Sequence, residues 1–176
     1  MKLFLYMLLF ILVFSQCRNK AEYTSLPFPE KPAVPSVLKK QHDQFLEKLA
    51  RIASLQDSTG RAAKKLFELM GYHFKEEEDY VLPPLGLLPV LAMGKIPEQS
   101  EKVIQLTERF RSNSAKMIAE HQMIKAYLDE MMLAGAKENH PEISGFDQEL
   151  QKHAASEEEV FFPTAILIGE YLKLAR

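Results

Sequence analysis

The chain has a single cysteine, Cys17, among its 176 residues. A disulfide within the chain needs two thiols and a thiolate metal site needs several, so both are excluded. Glycine is scarce, with 7 residues, and alternating Val, Ile and Thr runs bounded by glycine turns do not occur, which leaves almost no signal for β-strands. Basic residues are not in excess either: the formal net charge is −2 and both signs are spread along the chain. Without a basic stripe, nucleic acid is not an expected partner.

The composition of the chain favours helices. Hydrophobic residues make up 47% of the chain, which is enough for one domain with a sizeable core. The long segments rich in Ala, Leu, Glu, Lys and Met favour helix. We therefore predict an all-α fold.

The N-terminus has the features of a targeting segment. Residues 3–14 form an apolar run of twelve residues after Lys2. At about 1.5 Å per residue this run is much shorter than the roughly 30 Å hydrocarbon core, so it suits a signal peptide better than a membrane span. The position of Cys17 resembles a bacterial lipoprotein processing site, at which this cysteine is lipidated. Gln16 and Phe14 depart from the usual pattern, so ordinary secretion or an uncleaved anchor is the alternative, with a cytosolic chain as a third interpretation. The first two interpretations export the protein, and lipidation would hold it on a bacterial membrane, facing the periplasm or the exterior.

Three segments follow from this interpretation: a signal peptide at 1–17, a tether at 18–35 and a helical domain at 36–176. The tether is predicted from Pro27, Pro29, Pro32 and Pro35, which stand among polar and small residues with no helical period.

Four helices are predicted in the domain from apolar residues that recur at spacings of 3 and 4. They cover about residues 37–55, 61–82, 98–133 and 143–174. Turns at 57–60 and 135–141 join them into two hairpins, and an apolar connection broken by Gly and Pro at 85–97 links the hairpins. Short turns give an antiparallel up-down four-helix bundle. Gly71 lies inside the second helix, where it predicts a close helix approach or a bend.

Polar residues interrupt the apolar stripes in a repeated pattern. His73 is followed by Glu77 and Pro83, and His153 is followed by Glu157 and Pro163, at the same offsets of four and ten positions. Each copy has a histidine upstream at nearly the same distance: His42 precedes His73 by thirty-one positions, and His121 precedes His153 by thirty-two.

The distances from the turns predict that all of these residues lie at one height. His42 stands seventeen positions before Thr59, near the centre of the first turn, and the middle of the His73–Glu77 pair stands sixteen after it. His121 stands seventeen positions before Glu138, and the middle of the His153–Glu157 pair stands seventeen after it. Antiparallel partners that are equally far from their turn lie level, so we expect one polar layer inside the bundle.

Such a layer predicts a metal site. A single inward histidine is usually a hydrogen-bonded core residue, but a buried carboxylate costs several kcal/mol unless it is paired or bound to metal. Imidazole and carboxylate without thiolate suit iron, manganese or zinc. If each of two ions takes about six ligands, four histidines and two bridging carboxylates supply about eight of twelve bonds. A bridging oxide or hydroxide leaves about one open position per ion, which favours chemistry or ligand binding over a closed structural site.

The six residues, with Pro83 and Pro163, resemble the hemerythrin-like (HHE) family over about residues 36–174. The resemblance implies an up-down four-helix bundle with two non-haem iron ions joined by an oxo or hydroxo bridge. It also implies that His42, His73, His121 and His153 are terminal ligands and that Glu77 and Glu157 are bridges.

Two departures from the oxygen-carrying hemerythrins bear on function. Lys125 stands where those proteins have a fifth histidine, and Glu157 stands where they have a bridging Asp. The set of four His and two Glu is more similar to the branch that includes iron–sulfur repair proteins, which are generally cytosolic and carry a cysteine-bearing N-terminal domain that this sequence lacks. Two further side chains are assigned to the surface: His140, in a turn, and Glu120, for which a hydrogen bond to a metal ligand is the alternative.

The sequence leaves three functions open. The first is an exported protein that binds or senses O2, NO, peroxide or a related oxidant at its di-iron centre. The second is a di-iron enzyme, a peroxidase or NO reductase, that turns these ligands over; no catalytic side chain beyond the metal ligands is predicted. The third is iron handling, stress protection or a structural metal. The protein partner and the oligomeric state have no signal in the sequence, and the one membrane contact predicted is the N-terminal anchor.

Overall fold

The computed structural model describes residues 32–175 of the chain. The helices in chain order are α1 Ser36–Ala53, α2 Ser58–Glu76, α3 Leu88–Ala92, α4 Ser100–Glu138, α5 Phe146–Ser156 and α6 Phe162–Leu174. No strand occurs among the described residues. α1 packs on α2, α2 on α4, and α4 on α5 and α6, so the predicted all-α bundle is confirmed.

Several observed helix ends differ from the predicted ones, and local hydrogen bonds and backbone angles explain the differences. The Asp57 carboxylate accepts a hydrogen bond from the backbone N–H of Gly60 at 2.9 Å, and this N-cap starts α2 at Ser58, three positions earlier than predicted. The helix α4 continues into the predicted turn at 135–141 and ends at Glu138, before Asn139, whose φ of 61° is left-handed. Gly145, with φ 80°, precedes α5, so the last helix begins at 146 and not at 143.

Two π-helical turns break the regular helices. They span Glu77–Val81 after α2 and Glu157–Phe161 between α5 and α6. In the first, the N–H of Leu82 donates to the Glu77 carbonyl at 2.8 Å, five residues back. Such turns concentrate at functional sites, and each of these begins at one of the two glutamates in the predicted polar layer.

The apolar core is divided into two clusters by that layer. The cluster nearer the α1–α2 turn contains Leu49, Leu66, Met70, Leu128 and Met131. The other lies towards the opposite end and contains Tyr80, Phe110, Met117, Phe162 and Leu172. Burial of this apolar surface is the main source of stability, so the polar residues between the clusters are held in a rigid, dry environment.

Two glycines show where helices meet closely and where they do not. A Cβ on Gly169 would overlap the Thr107 hydroxyl oxygen, so α6 approaches α4 too closely for any side chain there. A Cβ on Gly71 would meet nothing within 4 Å. The predicted close approach at Gly71 is therefore wrong.

The predicted signal peptide at 1–17 lies outside the described residues, as does the tether up to residue 31. Residues 32–35 are non-helical, and Val34 packs against the core. None of the helices between residues 32 and 175 combines the length and the apolarity that a bilayer crossing requires.

Candidate metal centre

The bundle brings all six predicted side chains into one layer. They come from four different stretches of helix: His42 from α1, His73 from α2 with Glu77 at its end, His121 from α4, and His153 from α5 with Glu157 at its end. Their potential ligand atoms form two groups in which all atoms lie within 4.8 Å of one another. One group is His73, Glu77, His121 and Glu157, and the other is His42, His153 and Glu157.

The two carboxylates each span both groups. One oxygen of Glu77 lies 3.4 Å from His73 Nε2 and the other lies 3.6 Å from His42 Nε2. For Glu157, Oε1 lies 3.0 Å from His153 Nε2 and Oε2 lies 3.6 Å from His121 Nε2. Each carboxylate therefore faces one histidine of each pair, which is the arrangement that two bridging ligands require.

The inward atoms are buried, and although several lie close to one another, none of these contacts has the geometry of a hydrogen bond. This holds for Nε2 of His42, His73 and His153, for both oxygens of Glu77 and for Oε1 of Glu157. Orphaned polar atoms in a protein interior are costly and rare. Here they cluster in one place and all belong to residue types that bind cations, so the site fits a bound metal.

The protonation of the site without metal is governed by burial and by the two close carboxylates. Burial and the charge of Glu77 raise the pKa of Glu157 to about 8. Burial opposes charge on Glu77 as well, but the nearby His73, whose Nε2 lies 3.4 Å from the carboxylate, outweighs it and lowers the pKa of Glu77. Burial would lower the pKa of His73, but Glu77 outweighs it and raises that pKa to about 9. Burial lowers the pKa of His121 and His153. A cation held by Glu77 and Glu157 would displace the protons that these residues share with the histidines.

Three further carboxylates accept hydrogen bonds from the outer nitrogen, Nδ1, of three of the four histidines. His42 Nδ1 donates to Glu78 at 3.0 Å, His73 Nδ1 to Glu120 at 2.9 Å and His121 Nδ1 to Glu158 at 2.6 Å. A proton on Nδ1 leaves the lone pair of Nε2 directed inward, and the hydrogen bond fixes the ring.

Sequence reasoning missed two of these carboxylates and misplaced the third. Glu120 is buried, so its assignment to the surface is wrong; its hydrogen bond to His73, a candidate ligand, agrees with the alternative. Glu78 and Glu158 directly follow Glu77 and Glu157. Their repetition at one offset was a usable signal.

His153 differs from the other three histidines. In the described part of the chain its Nδ1 has no hydrogen-bond partner, and its ring packs on Phe45 at 5.1 Å and Phe74 at 5.8 Å between centroids. It also forms part of the wall of a cavity of about 340 Å³ between α1 and α5, with Phe161 and several polar side chains. The orientation of this ring is therefore set by aromatic packing and by the Glu157 carboxylate at Nε2, without a carboxylate at Nδ1.

Lys125 takes no part in the site. Its ammonium group donates to Asp129 at 2.8 Å, and both side chains are largely exposed. Among the described residues, the inward groups that could balance the two carboxylates are the histidines, and a bound cation would complete the balance.

A second group of potential ligands lies at the turn end of the bundle. Its members, which we call the turn clamp, are Asp57, Glu138, His140 and Glu142. His140 contacts Asp57 through Nε2 and Glu142 through Nδ1, both at 2.7 Å, while Glu138 accepts from the backbone N–H groups of Ser58 at 3.0 Å and Thr59 at 2.8 Å. These atoms already have partners, unlike those of the metal centre. His140 lies outside the metal centre but is only 17% exposed, because it joins the two hairpin turns.

Comparison with protein families gives one match. The family model for the hemerythrin HHE cation-binding domain matches residues 35–165. Comparisons with curated proteins and with solved structures gave no match. The matched range contains α1 to α5, both π-helical turns and all six side chains of the candidate centre. The chain belongs to the hemerythrin family of HHE cation-binding domains.

Proposed function

We propose that this chain is an exported hemerythrin-like protein of the four-His, two-Glu type. Its six inward side chains would hold two non-haem iron ions, and the centre would bind or sense O2, NO or a related small oxidant. The observation that carries this proposal is the geometry of Glu77 and Glu157, each of which faces both histidine pairs with buried oxygens. A single ion would leave one pair without a partner.

The donor set supports iron. Each half of the site offers two imidazoles and a share of two carboxylates, and Cys17 lies far from it in the sequence. Such nitrogen and oxygen donors suit iron, manganese or zinc, and the family is a cation-binding one for which iron is typical. Bound iron would supply redox chemistry and coordination positions for a small ligand.

The residues around the centre orient the imidazole rings and keep water away from the carboxylates. Glu78, Glu120 and Glu158 hold three imidazole rings with Nε2 directed inward. Phe74 stacks on His42 with centroids 3.9 Å apart, and Phe162 stacks on His121 at 5.7 Å. Held this way, the ligands need little reorganisation when a metal binds, and water is kept from the carboxylates.

Open coordination supports ligand binding over a purely structural role. Six side chains supply about eight of about twelve bonds, and a bridging oxygen leaves about one position on each ion. Lys125 faces solvent where a fifth histidine stands in the oxygen carriers. The site thus lacks one ligand of the carriers, which supports sensing or transient binding of NO or an oxidant rather than stable oxygen carriage.

The binding function is tested by stopped-flow mixing of the reduced, iron-loaded protein with O2 and with NO. We expect each ligand to change the optical spectrum, with no change in a Glu77→Ala control. Unchanged spectra with both ligands would refute the proposal. Sustained consumption of NO or peroxide in the presence of a reductant would show that the protein is an enzyme.

Export and anchoring rest on residues 1–17. The twelve-residue apolar run and the position of Cys17 support lipidation of this cysteine. Metabolic labelling with a fatty acid should mark the wild-type chain and not Cys17→Ser, and the variant should leave the membrane fraction. Label on both chains, or on neither, would contradict lipidation of Cys17.

A further inference from the structure

The helix α6 carries apolar side chains on two opposite faces. Its inner face, with Phe162, Ala165, Ile168 and Leu172, packs into the core. Its outer face presents Leu167, Tyr171 and Leu174, which are 65%, 44% and 87% exposed. The two charged residues of α6 lie at its side, where Glu170 pairs with Arg111 and Lys173 pairs with Glu108 on α4. The outer face is therefore apolar and without charge.

These exposed side chains form one continuous stripe. Leu167, Tyr171 and Leu174 follow at spacings of 4 and 3, and Val160, 54% exposed, extends the stripe at its start at a spacing of seven. At about 1.5 Å per residue the stripe is about 20 Å long. Single exposed apolar residues are ordinary, whereas a contiguous apolar patch marks an interaction surface. We call these four residues the α6 stripe.

The outward face of α1 has the opposite character. It carries Lys39, Lys40, Asp43 and Glu47, which are all exposed. The fold thus places charge on the outer face of α1 and leaves it off α6. Folding of the bundle does not require the stripe, because its exposed side chains contribute little to the core.

The place where the chain enters the bundle indicates what covers the stripe. A Cβ on Gly86 would overlap the carbonyl oxygen of Ala33, so the entering segment packs on the turn Pro83–Leu87. The helix α6 packs on that same turn. The chain therefore enters the bundle at the end where α6 lies, on the core side of that helix, and the stripe faces away on its opposite side. The part of the tether before this contact, residues 18–32, reaches at most about 50 Å when fully extended, so the domain stays within about that distance of whatever holds the N-terminus.

We propose that the α6 stripe docks onto the lipid surface in which the N-terminal segment is anchored. This rests on the proposed anchor and adds an orientation: α6 lies in the plane of the interface, as amphipathic helices do, with the stripe a few ångströms into the acyl boundary. A second copy of the chain fits less well. A stripe about 20 Å long and about 10 Å wide buries about 200 Å² per copy, against about 800 Å² per partner in a stable complex.

We expect the contact between the α6 stripe and lipid to be insensitive to salt. The stripe carries no charge, and the neighbouring Glu170 and Lys173 are already paired on α4. Docking driven by apolar burial is insensitive to ionic strength, whereas contacts between exposed charges are screened by salt.

The test uses the absence of tryptophan from the chain. Leu167→Trp places a single fluorophore in the stripe, and Leu133→Trp places one at a matched exposed leucine, 59% exposed, near the other end of the bundle. The full-length lipidated variants are incorporated into phosphatidylcholine vesicles that contain brominated acyl chains. We expect a blue shift and strong quenching for Leu167→Trp at low and high salt alike, in metal-loaded and metal-free protein. Leu133→Trp should show neither effect.

Flotation of the same vesicles reports the anchor separately. A Leu167→Trp chain that floats with unquenched fluorescence overturns the docking surface and leaves the anchor intact, whereas a chain that does not float overturns both. A blue shift without quenching that grows with protein concentration shows a second copy on the stripe. A blue shift that depends neither on protein concentration nor on the presence of vesicles shows that another part of the same chain covers the stripe. Either result contradicts docking onto lipid.

Discussion

The carboxylates behind the histidines should tune metal affinity in an order set by their burial. Glu120 is the most buried of the three, with 10% of its side chain exposed, against 22% for Glu78 and 40% for Glu158. Replacing each by Gln keeps the shape but removes the charge that strengthens the hydrogen bond to Nδ1. Loss of such a partner typically weakens metal binding by about 10-fold to 100-fold, which is about 1.4 to 2.7 kcal/mol. Water can replace an exposed acceptor more easily than a buried one.

We therefore expect Glu120→Gln to lie near the upper limit of this range, Glu78→Gln between the limits and Glu158→Gln at or below the lower limit. The assay is competition of the metal-free protein with a chromophoric chelator for Fe(II), under anaerobic conditions. Glu159→Gln is the matched control, because Glu159 is exposed in the same acidic run, and it should bind within about twofold of wild type. Circular dichroism of the metal-free variants checks the fold. Equal affinities in all four variants, or the largest loss in Glu158→Gln, would refute the idea that these carboxylates orient the ligands.

Three further predictions concern the centre, the packing and the turns. Glu77→Ala should lose both metal ions, measured as metal per chain, because this carboxylate serves both histidine pairs; a variant with two ions would disprove its bridging role. Gly169→Ala should destabilise the fold by about 1–3 kcal/mol through the clash with Thr107, whereas Gly71→Ala, which meets open space, should stabilise it by up to about 1 kcal/mol; denaturant titrations in which both variants shift alike would contradict the close approach. Hydrogen bonds to Asp57 and Glu142 raise the pKa of His140. Protonated His140 therefore adds its full contribution to the free energy of unfolding below about pH 6.5, and this contribution is lost as pH rises through the folded pKa. The melting temperatures of wild type and His140→Gln should accordingly differ most near pH 5.5 and converge at alkaline pH, and a difference that is constant with pH would rule out a charged His140.

The sequence allowed the polar layer to be predicted because an antiparallel hairpin converts sequence distance from a turn into height. The observed turns differ from the predicted ones: the first lies earlier, at 54–57, and the second lies later, at 139–145. A shifted turn is closer to one partner and farther from the other, so the partners are not equally far from the observed turns. The equal distances were therefore only an approximate guide to the layer, in which the six side chains nevertheless converge.

The π-helical turns could not be predicted in the same way. Periodicity of 3 and 4 describes a regular α-helix, and a single extra residue at Glu77 or Glu157 changes the phase only beyond that point. The apolar spacing on either side still predicts helix. The π-helical turns place Glu78 and Glu158 within hydrogen-bond distance of histidines on neighbouring helices. Helical periodicity does not predict these two contacts.

Glu120 shows a different limit. Its neighbour His121 faces inward, and adjacent residues on a helix do not share a face, so an outward direction was the simpler expectation. The side chain is long enough to turn back to His73, and Lys116, one turn earlier on the same helix, lies 3.4 Å from its other oxygen. This is tertiary information that depends on how α2 and α4 are placed against each other.

The most direct test of the account is the metal content of the purified, oxidised protein together with its optical spectrum. Two iron ions per chain, with near-ultraviolet charge-transfer bands of an oxo-bridged pair, are expected from two carboxylates that each face two histidine pairs. A single ion per chain, or a spectroscopically silent zinc that persists after reconstitution with iron, would contradict the di-iron centre.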